Sequence, residues 1–347
     1  MTRFGVIDTT SLQLLLLGPG YGESVIVGVP GPPTGWLVVD SILKQRGGLL
    51  RQPVRQALTD LSAIPDLLLL THAHADHAAG MARLIEAYPT ARVAAAVSDF
   101  TAAKARSVRS AAQRAESAAA LSAIGRLPDD RRWGAIAREE PLGTGSVSLL
   151  HPGADAAQRL LGSGSATPNL LSSPARIRWA GRTVLLGADL ERDEWTGLGA
   201  PGAFHNDEPV KTPHHGSPGA FDAIWAGEPQ PNGRRRHFAL TPYDRRPKLP
   251  DLDHPHSLPG LLERAVRVHL TSLPFKTDPL ISGSVSLSDL RAARDRSAAG
   301  RAPLPSFLGP NSAAREIDRP DDSWIRLELA TDGACTATSG PAGVSVL

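Results

Sequence analysis

The chain carries a single cysteine, Cys335, in 347 residues. No disulfide can form within it, and a metal cage built on thiolates is not expected. Aromatic residues make up only 5%, too few to suggest a stacking channel for single-stranded nucleic acid. Charge of one sign is also lacking, with 37 Lys and Arg against 35 Asp and Glu. Composition alone therefore names no polyanionic partner. No run approaches the ~18–20 apolar residues of a membrane-spanning helix. The opening MTRFGVIDTT has neither the basic start nor the apolar centre of a secretory signal. The expected setting is a cytoplasmic protein that uses no membrane.

Hydrophobic residues account for 41% and charged residues for 21%, with 33 Gly and 30 Pro. That balance predicts one large core with many loops, read as a single domain over residues 1–347. Apolar runs at 12–17, 24–29 and 36–40 predict three strands, the last ending on Asp40. A helical pattern follows over 48–62 and is stopped by Pro65. Leu67–Leu70 predicts a buried strand leading into Thr71-His72-Ala73-His74-Ala75-Asp76-His77, then a helix over 78–88 and a strand over 92–97. Further strands are expected at 146–151, 175–180, 182–187, 237–241, 266–271 and 324–330. The order implies a layered α/β fold with the histidine run at the C-terminal end of a strand.

Residues 101–138 are rich in Ala and Arg, with eight basic side chains against three acidic ones. They predict a helical insertion of local charge about +5. A second basic stretch, 231–250, contains Arg234, Arg235, Arg236, Arg245, Arg246 and Lys248. Residues 296–322, rich in Ala, Pro, Gly and Ser, predict a flexible loop.

Seven of the eleven histidines fall in three clusters, His72/His74/His77, His214/His215 and His254/His256. Local crowding of ligands reduces the entropy lost when a metal cage closes. Side chains alternate along an extended loop, so His72 and His74 face the same way and can grip one metal. Asp76 and His77 are then placed for a second metal nearby. Imidazoles mixed with a carboxylate suit zinc, manganese or iron. The competing reading is an accidental histidine-rich turn, which four ligand types directly after a buried strand make the weaker one. His205, His237 and His269 read as ordinary surface or core residues.

His-x-His-x-Asp-His after an apolar strand resembles the signature of the metallo-β-lactamase superfamily. Later segments resemble its other motifs in order. Leu185-Leu186-Gly187-Ala188-Asp189 is similar to the strand that ends on a metal-bridging Asp. Lys211-Thr212-Pro213-His214-His215-Gly216-Ser217 resembles the Lys-x-Pro-His-His-Gly-Ser segment of the ComEC-type branch, the hydrolase domain of a DNA-uptake channel. Val38-Val39-Asp40 matches the early motif whose Asp braces a ligating histidine, and Asp253-His254-Pro255-His256 resembles a late segment of the same branch. Three departures stand out. Gly18-Pro19-Gly20-Tyr21-Gly22-Glu23 replaces an Asp-Val-Gly-Gln-Gly-Asp run, Ala188 is inserted before Asp189, and Asn169 with Ser172 stands, as in ComEC-type domains, near where many superfamily members have a histidine. His151 is the alternative candidate for that ligand.

The resemblance implies an αββα sandwich, two mixed sheets flanked by helices, here with the Ala/Arg-rich insertion. It implies two divalent ions, zinc or manganese, held by His72, His74, Asp76, His77, Asp189, His214 and His215. One of His214 and His215 is expected to ligate while the other orients substrate. Asp76, His215 and His256 are the expected catalytic residues. Asp40, Asn169, Ser172, Lys211, Ser217 and His254 are expected to support ligands or touch substrate. The implied reaction is attack on a phosphodiester of DNA or a nucleotide by a hydroxide shared between the metals. Hydrolysis of a carbon ester, lactone or thioester is the alternative reaction, and a non-catalytic partner protein on a hydrolase scaffold is the alternative class. The Ala-rich surface at 101–125 can equally serve a protein partner or a second copy.

Overall fold

A computed structural model describes residues 3–4, 8–18, 22–46, 49–95, 111–133, 139–150, 169, 172–199, 203–204, 206–228, 236–243, 248–273, 275, 283–298, 323–340 and 343–347. The first half supplies β1 (Leu12–Leu17), β2 (Ser24–Val29), β3 (Gly35–Val39), a short ribbon of β4 (Lys44–Arg46) and β5 (Leu49–Arg51), then β6 (Leu67–Leu70) and β7 (Arg92–Ala95). Next come β8 (Glu139–Leu142), β9 (Gly145–Leu149), β10 (Ala175–Trp179), β11 (Arg182–Leu186), β12 (Val210–Lys211), β13 (Arg236–Leu240), β14 (Ala265–Leu270) and β15 (Gly283–Val285). The chain closes with β16 (Trp324–Leu329), β17 (Cys335–Ser339) and β18 (Val344–Val346). One sheet runs β17-β16-β1-β2-β3-β6-β7 and the other β15-β18-β14-β13-β12-β11-β10-β9-β8. Both are mixed: β3, β6 and β7 are parallel in the first, and β11 to β14 are parallel in the second.

The runs LQLLLL and SVIVGV are buried at every position, as befits strands covered on both faces. Period-two alternation splits them between two cores. Leu12, Leu14 and Leu16 point into the seam between the sheets, against Ile177, Leu186 and Ala239 of the second sheet. Leu15 and Leu17 point outward, against helices α1 (Pro53–Asp60) and α3 (Met81–Ala87) and the neighbouring α2 (Ala75–Ala78) and α4 (Ala111–Gly125). Over the far face of the second sheet lie α5 (Arg192–Trp195), α6 (Ala223–Ala226), α7 (Leu258–Leu262) and α8 (Leu287–Ala298), around Trp195, Trp225 and Phe238. The result is the expected αββα sandwich. Each fully buried Leu of the seam contributes about 1.5–3 kcal/mol by leaving water. Among the described residues no helix is long and apolar enough to cross a membrane.

Local structure departs from the sequence reading in several places. The helix expected over 48–62 starts only at Pro53, and Leu49–Arg51 pairs instead with Lys44–Arg46. Pro53 has no N–H to give an earlier turn and fits the first helical position. The helix expected over 78–88 begins earlier, at Ala75, and is broken at Gly80, whose φ of 87° is left-handed. Of the Ala/Arg-rich segment, Ala111–Gly125 is helical, while residues 101–110 and 134–138 lie outside the described residues, as does 299–322 of the expected flexible loop. Residues 296–298 of that loop form the end of α8. Arg236, counted in the second basic stretch, is buried, and its guanidinium donates to the carbonyls of Trp225, Phe204 and Asp207. Arg234, Arg235, Arg245 and Arg246 lie outside the described residues.

Candidate metal centre

Five strand ends converge at one end of the sandwich. Asp40 follows β3, Thr71 to His77 follow β6, Asp189 follows β11, His214 and His215 follow β12, and Thr241 follows β13. These strands are parallel within each sheet, so their carboxyl ends open on the same side. Glu23 before β2 and Asn169 with Ser172 before β10 join them, because those strands run antiparallel to their neighbours.

Asp40 organises the first cluster. Its buried carboxylate accepts from Thr71 N at 2.8 Å, Thr71 Oγ1 at 2.7 Å and His77 Nδ1 at 2.7 Å. With Nδ1 so engaged, His77 has only Nε2 to offer, and this atom lies 3.2 Å from Asp189 Oδ2. His72 is fixed likewise, its Nδ1 3.1 Å from Thr71 Oγ1 and 3.3 Å from Ser172 Oγ. Its Nε2 faces His74 Nδ1 at 3.0 Å and Asp189 Oδ2 at 3.9 Å. Ser172 Oγ also accepts from Asp189 N at 2.9 Å, so one hydroxyl positions two expected ligands.

The second cluster lies on a strained turn. Among the described residues, six non-glycine residues have positive φ, and four of them, Asp40, Ala188, His214 and His215, belong to this site. Such conformations cost about 1–3 kcal/mol each and persist where surrounding bonds impose them. Here the Ala188 carbonyl accepts from His214 N at 2.8 Å and from Lys211 Nζ at 3.2 Å. Lys211 also makes a buried ion pair with Glu23, joining the two sheets. His215 donates from Nδ1 to Thr241 O at 2.7 Å and stacks on Tyr243. His214 is partly exposed, its Nε2 3.3 Å from Asn169 Nδ2 and 4.0 Å from Asp189 Oδ2.

Electrostatics follow the burial. Burial holds His72 and His74 below the ordinary histidine range, reinforced at His72 by the neighbouring His77 and His74. His77 goes well above that range: burial opposes its charge, but Asp189 and Asp40 on either side outweigh burial. Asp189 is held well below the carboxylate range, the nearby histidines outweighing its burial. Burial raises Asp40, and the bonds from His77 and Thr71 counter only part of that rise.

Among the described residues, two three-residue groups have ligand atoms within 4.8 Å of one another: His72, His77 and Asp189, and Asp76, His77 and His215. His77 is common to both but has one free nitrogen, so it can serve only one ion at a time. The donor set fits a divalent metal on a further ground. His215 Nε2 and Asp189 Oδ1 are buried without a hydrogen-bond partner, a costly state unless something else binds there.

The structure thus brings together His72, His74, Asp76, His77, Asp189, His214 and His215, with Asp40, Asn169, Ser172 and Lys211 behind or beside them. It does not bring in the remaining three. Ser217 caps the next turn by accepting from Gly219 N at 3.2 Å. His254 and His256 are exposed on a separate loop, and His256 stacks on Phe221 and meets Arg192 rather than the cluster. His151, like His205, lies outside the described residues. Glu23, Thr71, Glu191, Thr241 and Tyr243 are site residues that the sequence reading left without a role. Thr71 carried a signal in its place inside the motif, and Glu23 in ending the Gly-rich turn that stands where the ComEC-type branch has a run ending in Asp.

Strand ends furnishing a His- and Asp-lined centre between two sheets define a metal-binding α/β-sandwich protein. The sequence signature of the metallo-beta-lactamase superfamily matches residues 17–228, and the chain belongs to that superfamily. No curated protein sequence matches it. Among solved structures it is similar to the MIM-2 metallo-beta-lactamase at 16% identity, covering 58% of this chain and 73% of that one with a TM-score of 0.36. It is also similar to the metallo-beta-lactamase fold protein YhfI from Bacillus subtilis, at 13% identity, 58% and 70% coverage and a TM-score of 0.33. A Cronobacter sakazakii (Enterobacter sakazakii) metallo-beta-lactamase with a HARLDQ motif matches at 19% identity and a TM-score of 0.32, over 51% of this chain and 61% of that one. The chain thus spans less than two thirds of that protein's length.

Proposed function

We propose that this protein is a metal-dependent phosphodiesterase, with DNA or a nucleotide as substrate. The observation that carries the reading is the segment Lys211–Ser217, which resembles that of ComEC-type hydrolase domains. Its two histidines lie on the left-handed turn facing Asp189. Asn169 and Ser172 beside them agree with the same branch. His72, His74 and Asp189 would hold one ion and Asp76, His77 and His215 a second. Divalent metal bound there supplies Lewis acidity and lowers the pKa of water, so no serine or cysteine nucleophile is required.

The protein's own groups do the rest. Asp40 and the Thr241 carbonyl set the tautomers of His77 and His215, leaving Nε2 of each turned to the centre. Asp76 is half-buried and can pass a proton to a departing alkoxide. Glu191 and Asn169 flank His214 at the opening, with Glu191 Oε1 3.6 Å from His214 Nδ1. The test is cleavage of bis(p-nitrophenyl) phosphate and of labelled single- and double-stranded DNA with manganese or zinc. Cleavage by the wild type that disappears in Asp76→Ala/His77→Ala is expected. Metal-loaded protein that opens lactones or thioesters and leaves every phosphodiester intact would overturn the reading.

A further inference from the structure

Beside the metal cluster stands a second group of side chains that the proposed chemistry leaves unused. Glu191 and Arg192 are adjacent, yet they face different surroundings. Glu191 lies against His214 and Asn169, whereas Arg192 turns to the exposed loop that carries His256. Arg192 is exposed but not free to wander. Its Nε donates to Phe221 O at 2.8 Å, and one Nη donates to His256 Nδ1 at 3.0 Å and lies 3.5 Å from Pro218 O. Its partners are carbonyls and an imidazole, and no ion pair of Arg192 with a carboxylate occurs among the described residues. Among the described residues Nη1 makes no hydrogen bond. Arg294 contrasts with it, since carboxylates neutralise that guanidinium.

His256 is oriented with equal care. Its ring lies parallel to Phe221, 7° between planes and 5.4 Å between centroids. Because Nδ1 accepts from Arg192, the proton sits on Nε2 on the far side of the ring, so His256 holds the guanidinium in place rather than adding a donor beside it. The loop beneath is built rather than loose. Asp251 accepts from the backbone N–H groups of Asp253 and His254, and Arg291 and Arg294 clamp Asp253. Ser257 Oγ donates to Gly216 O at 2.5 Å, fastening this loop to the turn that holds His214 and His215. Arg192 and the loop that orients it are thereby held in register with the metal cluster.

We propose that Arg192, oriented by His256, forms a binding subsite for a second phosphate of the substrate, one unit along from the phosphodiester that is cut. A planar guanidinium is a donor suited to phosphate oxygens. This rests on the phosphodiesterase reading and narrows it, because the substrate must then carry at least two phosphates. It also gives His256 a role in positioning Arg192 instead of moving a proton.

The experiment compares a thymidine dinucleotide with the same molecule carrying a terminal phosphate at either end. The readout is the ratio of kcat/KM for the phosphorylated over the unphosphorylated form, which partial unfolding of a variant does not change. The wild type is expected to favour the phosphorylated form by about tenfold, as one charge-assisted contact provides. Arg192→Ala and His256→Ala should bring the ratio towards one, and Arg267→Ala, removing an exposed arginine near the start of β14, should not. A wild-type ratio near one, or a preference that survives in both variants, overturns the subsite. If no phosphodiester is cleaved, the functional reading fails, and binding decides the subsite alone. Fluorescence anisotropy of the labelled, phosphorylated dinucleotide on the metal-free protein should then weaken about tenfold in Arg192→Ala. Equal binding by wild type and variant overturns it there too.

Discussion

Replacing Asp40 by Asn exchanges one oxygen for an amino group in the most constrained part of the centre. The retained oxygen can still accept from Thr71 N. The new NH2 then points at Thr71 Oγ1 and His77 Nδ1, where a carboxylate oxygen accepted both at 2.7 Å. For the amide to be satisfied, His77 must accept at Nδ1 and carry its proton on Nε2. That proton sits where a metal needs a lone pair. Two charge-assisted bonds worth about 1.5–3 kcal/mol each give way to neutral ones worth about 0.5–1.5. The metal-free variant should therefore be about 2 kcal/mol less stable. Zinc affinity should fall about 10–100-fold, as expected for losing the group that orients a ligating histidine. Asp40→Ala should cost more, about 3–5 kcal/mol, because His77 keeps its charge and loses one of two carboxylates. Urea unfolding measures the first quantity, and competition against a chromophoric zinc chelator measures the second. Zinc affinity of the Asn variant within twofold of wild type would refute the tautomer argument.

Other expectations follow from the same geometry. Lys211→Met or Glu23→Gln alone leaves a buried charge without its partner and should cost about 3–5 kcal/mol, while the double variant should recover most of that in urea unfolding. Such recovery must come without recovery of metal affinity if Lys211 also holds the Ala188 carbonyl beside Asp189. Saturating zinc at about 100 times its dissociation constant should stabilise the native protein by about 2.7 kcal/mol, and His215→Ala should reduce that gain in thermal melts. His269 is pushed down to about 3, first by burial and then by His237 and Arg267, from an ordinary value of 6.5. Its folded-state value is depressed, so the unfolded chain takes up a proton that the native protein refuses. The stability it contributes is complete above 6.5 and declines as pH falls towards 3, by about 1.4 kcal/mol per unit. Urea unfolding of His269→Asn should show a flatter acid slope than wild type, and equal slopes would refute this.

What the sequence made legible was what is local. His72, His74, Asp76 and His77 sit within six positions, so spacing alone put them in one place. Asp40 and Asp189 were readable because each follows an apolar run, and strand ends converge when the strands are parallel, whereas His214 and His215 were read from their adjacency and from the resemblance of Lys211–Ser217. Which partner meets which ligand was not readable. Glu23 meets Lys211 across 188 positions, and Ser172 meets His72 across 100. No periodicity reports such pairings. Arg236 shows the reverse error. Within Arg234-Arg235-Arg236 it looks like solvated charge, yet the strand begins there and three carbonyls need a donor. His256 looked like a possible proton donor because histidines do that work, but only the fold shows that Arg192 already occupies its Nδ1.

The sandwich is sewn shut at the end where its chemistry lies. Lys211 with Glu23, His77 with Asp189, and Ser172 with His72 each tie one sheet to the other. Those stitches make this end a fulcrum: the sheets cannot part there without tearing the centre apart. A substrate therefore cannot enter by the layers opening. Residues 189–192, 214–221 and 251–257 are joined to one another beside that end, and changes in those loops are expected to alter which molecules are admitted while leaving the stitches between the sheets untouched.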